Sequence, residues 1–270
     1  MRKTRVLICG ATGFIGRNLV EKLSLREDLD VHALRFTRPA IAVGNVTWHQ
    51  ADLRDPALVG GLVEGMDVVV QAAATTSGAG DIVRTPHVHV TDNAVMNSLL
   101  LRACHEAGIA HFIFFSCSVM YQPRDIPWRE TEWNASQEMY PNYFGSGWTK
   151  VYIEKMCEFF SRLGKMKHTV IRHTNVYGPH DKFDLERSHV FGASVTKAMT
   201  SRTGTVTVWG SGEEARDLLY VDDLVRFVEL AMERQNTSFE LVHVSGGCAL
   251  SINDIVRRII EASGRELRIE

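Results

Sequence analysis

The first residues with a clear chemical task are three glycines near the N-terminus, Gly10, Gly13 and Gly16, at the spacing G-x-x-G-x-x-G. They follow the apolar residues 6–8 and precede a segment whose apolar residues recur at helical spacing. Between a strand and a helix, Gly10 lets the chain turn tightly, Gly13 lets backbone approach a pyrophosphate, and Gly16 lets the helix lie close to the sheet. The helix N-terminus adds free N–H groups and a partial positive charge. This stretch therefore predicts a dinucleotide site.

The charges that follow the second predicted strand, residues 30–34, indicate which dinucleotide binds. NAD sites of this type usually carry an acidic residue there, which accepts a hydrogen bond from the ribose. Arg35 occupies that position, and Arg38 follows closely. A guanidinium can bind a 2′-phosphate through two parallel hydrogen bonds, so the charges favour NADP(H) over NAD(H). The alternative is that both arginines are only solvated surface residues.

The elements that must position this site alternate between strands and helices. Strands separated by helices of this length form a parallel, doubly wound sheet, and ligands bind at the carboxyl ends of its strands. We therefore predict a Rossmann-type α/β fold. A dinucleotide-binding domain should occupy mainly residues 1–175, and a small C-terminal substrate-binding lobe mainly residues 176–270, with strands returning to the sheet. The predicted strands include residues 30–34, 46–49, 66–70, 111–115, 169–172 and 206–209, and the predicted helices residues 92–107, 142–163, 190–198 and 224–232.

The composition limits the classes of partner. The chain has 270 residues, of which 45% are hydrophobic and 23% charged, and its formal net charge is −2. That balance gives no reason to expect binding to nucleic acid or to an anionic membrane. The five cysteines are odd in number and have neither metal-ligand nor disulfide spacing, so we expect no metal and a reducing compartment. Without an apolar run of membrane-spanning length, the chain reads as a soluble cytoplasmic protein.

Further segments spread along the chain form a known combination. They are Asp52-Leu53, Gln71-Ala72-Ala73-Ala74, Asn93, residues 116–121, Thr149-Lys150, Arg172, Asn175-Val176-Tyr177-Gly178-Pro179, Trp209-Gly210-Ser211-Gly212 and Arg216-Asp217-Leu218-Leu219-Tyr220-Val221-Asp222-Asp223. With these motifs the chain resembles the extended short-chain dehydrogenase/reductase family, specifically its nucleotide-sugar epimerases, dehydratases and reductases. The segment from residue 216 to 223 is the most diagnostic, because it belongs to the sugar-nucleotide branch.

The resemblance implies hydride transfer between a nicotinamide cofactor and a carbon of a nucleotide-activated sugar. It favours an epimerase or a reductase over a 4,6-dehydratase, because such dehydratases usually carry an Asp-Glu pair where this chain has Ser118-Val119. It also implies a homodimer, since relatives pair two long helices per subunit into a four-helix bundle. The helix predicted over residues 142–163 is suited to that role.

The catalytic positions that the resemblance implies are only partly filled as expected. In the family, a Tyr and a Lys four residues apart share one helix face, and a Ser or Thr from a strand end assists the Tyr. Lys150 occupies the Lys position, where it binds the nicotinamide ribose. Ser146 stands where the Tyr belongs, and Cys117 stands where the Ser or Thr belongs. Two of the three catalytic positions therefore depart from the pattern.

Three interpretations of this departure are open. In the first, the enzyme is naturally divergent, and the Cys117 thiol is an acid or base whose pKa falls beside Lys150. In the second, Ser146 is an engineered, disabling substitution. In the third, Tyr143 replaces the missing phenol, although two helical turns, roughly 10 Å, separate it from Lys150. An inert buried Cys117, and a cofactor-binding protein without turnover, are the remaining alternatives.

The remaining site residues are assigned by the resemblance and by their neighbours in sequence. Arg216 should contact the substrate diphosphate, and Tyr143, His173 and Asn175 should face the sugar nucleotide. Ser116, together with Cys117 and Ser146, should face the reacting carbon. The cofactor site should be lined by Gly10, Thr12, Gly13, Phe14, Ile15, Gly16, Arg35, Arg38, Asp52, Leu53, Ala72, Ala73, Ala74 and Lys150.

Overall fold

The computed structural model describes residues 2–75, 85–185 and 188–270. Its strands are β1 (Thr4–Cys9), β2 (Leu29–Arg35), β3 (Val46–Gln50), β4 (Val68–Gln71), β5 (His111–Cys117), β6 (Lys167–His173), β7 (Asn175–Tyr177), β8 (Thr205–Val206), β9 (Ala215–Tyr220), β10 (Phe239–Val244), β11 (Ala249–Ser251) and β12 (Arg268–Ile269). The helices of the described residues are α1 (Phe14–Leu23), α2 (Pro56–Val63), α3 (Pro86–Ala107), α4 (Phe144–Arg162), α5 (Val190–Thr200), α6 (Val221–Arg234) and α7 (Ile252–Ser263). Short 3₁₀ turns lie at Glu130–Glu132 and Pro141–Tyr143.

Seven strands form one sheet in the order β10-β6-β5-β4-β1-β2-β3, and every neighbouring pair in it is parallel. The chain runs outward from β1 to β3, returns to β4, and then runs outward in the other direction. The direction of winding therefore reverses between β1 and β4, and ligands bind outside the carboxyl ends of strands at such a point. The predicted Rossmann-type fold is confirmed.

Apolar layers cover both faces of this sheet, which explains why its strands are almost continuously hydrophobic. On one face, Val6 and Ile8 pack in a cluster with residues of α1 and α6. On the other face, Leu7 and Cys9 pack in a cluster with residues of α2, α3 and α4. The alternation of side chains along β1 therefore divides the core into two layers around the glycine-rich turn.

The helix boundaries follow local signals in most places. Gly108 ends α3 in the left-handed conformation, with φ of 71°, and the Ser251 side chain caps α7 by accepting a hydrogen bond from the Asp254 N–H. Helix α3 begins six residues before the predicted start, at Pro86, where a proline costs no hydrogen bond. Asp222 and Asp223 lie inside the first turn of α6 and do not cap it. Their negative charges interact favourably with the positive N-terminal end of the helix dipole.

A smaller group of elements follows the sixth strand. Strands β7, β9 and β11 form a second sheet, and β8 pairs with β12. Residues 175–177 form β7, because they pair with β9 some forty residues later. One sequence prediction is wrong in this part of the chain. The strand predicted over residues 206–209 ends at Val206, and Trp209 is 84% exposed.

Two histidines are buried at the amino ends of β5 and β6, on the edge of the sheet opposite the carboxyl ends where ligands bind. The His111 ring nitrogen Nε2 lies 2.7 Å from the Thr169 hydroxyl. Among the residues that the structure describes, neither ring nitrogen of His168 has a hydrogen-bond partner. Burial lowers the pKa of His111 to about 4 and that of His168 to about 3. Both rings are therefore neutral near pH 7.

Candidate functional site

The glycine-rich turn between β1 and α1 has no room for larger residues. Gly10 has a φ of +73°, and a Cβ atom there would lie 2.6 Å from the Ala73 Cα. A Cβ atom at Gly16 would lie 2.1 Å from the Gly10 carbonyl oxygen. Gly13 precedes α1 without a side-chain cap, and the first turn of α1 contains no acidic residue. The start of α1 therefore presents N–H groups to an anion and fits a dinucleotide pyrophosphate.

Small residues after β4 keep the space beside the glycine turn open. The Ala72 N–H donates to the Cys9 carbonyl at 3.2 Å, and the Ala73 N–H donates to the Gln71 side chain at 3.1 Å. Gln71 is buried and donates in turn to Asn97 on α3 at 3.1 Å. These bonds fix the backbone of the predicted cofactor-lining alanines.

The structure brings Arg35 and Arg38 together beside the glycine turn. Arg38 donates to the Thr12 carbonyl at 3.2 Å, and Arg35 donates to the Arg38 carbonyl at 3.3 Å. The Arg38 side chain is thus anchored to the turn that is expected to hold the pyrophosphate, and both guanidinium groups carry full positive charge at neutral pH.

Asp52, predicted to line the cofactor site, pairs with an arginine that none of the sequence motifs contains. The Arg54 guanidinium donates to both Asp52 carboxylate oxygens and also donates to Asp92 on α3 at 2.7 Å. These bonds from Arg54 lower the pKa of Asp52. Asp92 also accepts a hydrogen bond from the Thr75 hydroxyl at 3.1 Å. Arg54 therefore connects the end of β3 to α3 and to the segment after β4.

Lys150 lies at the carboxyl end of β5. Its ammonium donates to the Phe115 carbonyl at 2.7 Å and lies 4.8 Å from the centre of the Phe114 ring. Burial lowers the pKa of Lys150, although the neighbouring Cys117 and Glu154 oppose this effect. The ammonium is therefore on the same edge of the sheet as the glycine turn, as the nicotinamide-ribose role requires.

The electrostatics of Cys117 differ from the sequence-based expectation. Burial raises the pKa of this thiol, and the nearby Lys150 charge offsets only part of the increase. The expectation that Lys150 lowers this pKa below its usual value is wrong, because the loss of hydration outweighs the charge. The thiol is protonated at neutral pH and can donate a hydrogen bond, but it is not a ready thiolate base.

Ser146 does not reproduce the chemistry of a tyrosine in this position. Its hydroxyl donates to the Tyr143 carbonyl at 3.2 Å, across the start of α4. The Tyr143 side chain is exposed, and its ring centre lies 5.9 Å from that of Tyr140. Neither Ser146 nor Tyr143 therefore provides a buried phenol beside Lys150.

Ser116 was expected to face the reacting carbon, and its placement contradicts this. It is completely buried, and its hydroxyl donates to Glu154 on α4 at 2.5 Å. Glu154 is paired with Arg172 of β6, whose Nε donates to it at 3.0 Å. Both side chains of the pair are only 3% exposed. Ser116 therefore belongs to a buried charge network that joins β5, β6 and α4.

The segment over residues 118–143, called the site loop below, covers this network and contacts α4. The Trp133 ring lies 6.3 Å from that of Trp148 in an edge-on arrangement, and a Cβ atom on Gly147 would meet the Met139 sulfur. Met120, Met139 and residue Val151 of α4 form a separate apolar cluster. The loop therefore packs against the two turns of α4 that carry the Ser146 and Lys150 positions.

The residues predicted to face the sugar nucleotide are mostly engaged in holding the smaller sheet. The Asn175 side chain donates to the Asp217 carbonyl at 3.2 Å. The His173 Nδ1–H donates to the Thr174 carbonyl at 2.8 Å, and burial lowers the His173 pKa to about 4. Arg216 is exposed and donates to the Ala215 carbonyl; it forms no surface pair with Asp217, which binds Thr174 and two backbone N–H groups. The Arg216 guanidinium is thus accessible to an anion.

Within residues 2–75, 85–185 and 188–270, no cluster of three or more His, Cys, Asp or Glu side chains could hold a metal ion. In the same parts of the chain, none of the helices combines the length and the apolar character that a membrane span needs.

Comparisons with known proteins give the same family as the motifs. Residues 6–244 match a family model described as the NAD dependent epimerase/dehydratase family. The chain is 28% identical to a GDP-L-fucose synthase of Escherichia coli K12, over 100% of this chain and 84% of that protein. It is 27% identical to a dTDP-4-dehydro-6-deoxy-D-allose reductase of Streptomyces bikiniensis, over 98% of this chain and 82% of that protein. A UDP-glucose 4-epimerase of Thermotoga maritima, solved with UDP-glucose, superposes with a TM-score of 0.83 at 26% identity, covering 99% of this chain and 85% of that one.

We predict that Arg172→Met destabilises the protein by about 3–5 kcal/mol, because it leaves the Glu154 charge buried without its partner. Denaturant unfolding checks this value. The double variant Arg172→Met with Glu154→Leu should recover much of the loss, since no buried charge then remains unpaired. A single variant as stable as the wild type would contradict the prediction.

Proposed function

Because the chain belongs to the NAD dependent epimerase/dehydratase family, we propose that it is an enzyme that moves hydride between a nicotinamide cofactor and a carbon of a nucleotide-activated sugar. The observation that carries the proposal is the joint placement of the glycine turn and the Lys150 ammonium at one edge of the parallel sheet. The names of the sequence relatives support the substrate class, since they include enzymes of GDP- and dTDP-linked sugars.

The roles of the chain's own residues follow from their contacts. When bound, the nicotinamide cofactor supplies the site that accepts or donates hydride. Gly10, Gly13 and Gly16 leave room for its pyrophosphate, and Lys150 supplies a positive charge for the ribose hydroxyls. The Cys117 thiol, which burial keeps protonated, is proposed to donate a hydrogen bond to a substrate oxygen. Arg216 is proposed to bind the substrate diphosphate through its accessible guanidinium, with Tyr143, His173 and Asn175 around the sugar.

Among the reactions of the family, we favour reduction of a keto sugar nucleotide, with epimerisation as the second choice. Reduction of a carbonyl requires a proton donor at the oxygen, and the raised pKa of Cys117 keeps its thiol in the donating form. Two similar proteins carry reductase names, which supports the same choice. Ser118-Val119 in place of an acidic pair disfavours 4,6-dehydration.

A cofactor-binding protein without turnover is the second candidate. It is favoured by Ser146, whose short hydroxyl is turned to the Tyr143 carbonyl and replaces the phenol that the family uses. The cysteines of the chain are unpaired, which suits the reducing cytoplasm that we propose as its location.

We predict that NADPH binds more tightly than NADH. The double variant Arg35→Ala with Arg38→Ala should weaken NADPH binding by roughly 100-fold or more, since each of the two lost charge-assisted hydrogen bonds contributes about 1.5–3 kcal/mol. NADH binding should change less than about threefold. Titration calorimetry measures both, and Arg102→Ala, an exposed arginine on α3, is the matched control. Equal losses for the two cofactors would rule out the 2′-phosphate contact.

We predict that Ser146→Tyr increases turnover, because it restores a phenol four residues before Lys150. Mass spectrometry of products from nucleotide sugars and their 4-keto derivatives, with NADPH or NADH, tests this. If the wild-type protein is active and Cys117→Ala abolishes its activity while Cys248→Ala does not, the thiol supplies the proton. Cofactor binding without product from any of these proteins would favour the second candidate.

We also propose a homodimer built on α3 and α4. Tyr152 and Phe159 are seven residues apart on one face of α4, 47% and 56% exposed, and Val95 of α3 is exposed as well. An exposed apolar face on two packed helices suits a subunit interface. Light scattering should give a dimer mass, and Phe159→Glu should shift it to the monomer while Leu25→Glu, an exposed leucine outside these helices, should not. A monomeric wild-type protein at micromolar concentration would end this proposal.

A further inference from the structure

Tyr121 and His243 form a hydrogen-bond chain whose direction the contacts determine. The His243 Nδ1 atom lies 3.2 Å from the Trp128 carbonyl, and a carbonyl only accepts, so Nδ1 carries the hydrogen. The Nε2 atom of the neutral ring is then an acceptor, and the Tyr121 hydroxyl donates to it at 2.7 Å. The same hydroxyl oxygen accepts from Arg172 at 2.5 Å. The hydrogen-bond chain therefore runs from Arg172 through Tyr121 and His243 to Trp128.

This hydrogen-bond chain attaches the site loop to the end of β10. The Trp128 ring stacks on Tyr121 at 5.1 Å and lies under the Arg124 guanidinium at 3.6 Å. In addition, Glu130 accepts a hydrogen bond from the His243 backbone N–H at 2.8 Å. One residue of β10 thus contacts the loop through both its side chain and its backbone.

The charged and titratable groups around His243 favour its neutral form. Burial and the positive charge of Arg172 lower the pKa of His243, and the carboxylates of Glu130 and Glu154 oppose them without reversing the shift. Burial raises the pKa of Tyr121, so its hydroxyl keeps its proton. A protonated His243 would direct an Nε2–H at a hydroxyl oxygen that already accepts from the Arg172 cation. The Tyr121 O–H would at the same time lose the Nε2 acceptor that it has while the ring is neutral.

The site loop packs against the part of α4 that carries the site residues. Trp133 contacts Trp148, and Met139 contacts Gly147, within the first two turns of that helix. Ser146 and Lys150 lie on the same two turns. Displacement of the loop would therefore remove packing from the residues that flank the Lys150 ammonium.

We propose that Tyr121 and His243 are positioning residues that hold the site loop against β10 only while the His243 ring is neutral. Protonation of His243 then releases the segment around Trp128 and Glu130 and loosens the start of α4. Docking is complete above the ordinary histidine pKa of about 6.5 and is lost as the pH falls through the lower value of the docked ring. The effect on turnover rests on the proposed function, whereas the docking itself does not.

Hydrogen exchange of residues 121–133, expressed as protection factors between pH 7.5 and 5.0, tests the proposal on the full chain. In the wild type, protection should fall with decreasing pH, by up to about tenfold per pH unit for a single proton. His243→Gln can still donate and accept but does not titrate, so its protection should not change across this range. Tyr121→Phe should have low protection throughout. His49→Gln replaces another histidine with a lowered pKa, on β3, and should behave as the wild type.

The ring itself provides a second measurement that does not depend on a variant folding well. Nitrogen NMR of the wild-type side chain should show His243 neutral with hydrogen on Nδ1, titrating below 6.5 together with the loss of loop protection. A pH-independent loop in the wild type, a titration that persists in His243→Gln, or hydrogen on Nε2 would each overturn the proposal. If no turnover is found with any substrate, these readouts still decide it, so its failure is distinct from failure of the proposed function.

Discussion

Arg172 and Glu154 place opposite charges inside the protein, where either charge alone would be strongly destabilising and each is tolerated because the other neutralises it. The pair also forms hydrogen bonds with the Ser116 and Tyr121 hydroxyls. Through these contacts, one ion pair fixes the ends of β5 and β6, the middle of α4 and the start of the site loop relative to one another. The position of Lys150 on α4 depends on that arrangement.

The same burial determines the chemical state of the groups around the site. Removal from water disfavours charge of either sign, so the pKa of Lys150 falls, that of Cys117 rises and that of His173 falls. The site therefore contains weakly hydrated groups, and its Cys117 thiol suits proton donation to a developing oxygen charge better than it suits a thiolate base. The raised pKa disfavours a thiolate at Cys117, whereas a proton-donating thiol and an inert buried thiol both agree with it.

Local signals allowed much of the fold to be predicted from the sequence. The glycine spacing acts over a few residues, and the structure confirms the tight turn that it predicts. The end of α3 at Gly108 and the cap of α7 at Ser251 depend on equally local contacts. What was missed depends on contacts between residues distant in sequence: β7 exists because β9 pairs with it, and Ser116 is buried because Glu154 reaches it. One signal was present, since Arg172 is a charged residue within an apolar strand, and such a residue needs a buried partner. The sequence alone did not identify that partner.

The buried histidines at the amino ends of β5 and β6 set a limit on the conditions that the fold tolerates. His111 and His168 bind protons more readily in the unfolded chain, at about pH 6.5, than in the native state, where their pKa values are about 4 and about 3. Acid therefore favours the unfolded chain progressively below that pH. Both histidines lie on the edge of the sheet opposite the glycine-rich turn. These two residues outside the cofactor-binding edge therefore lower the stability of the fold in acid.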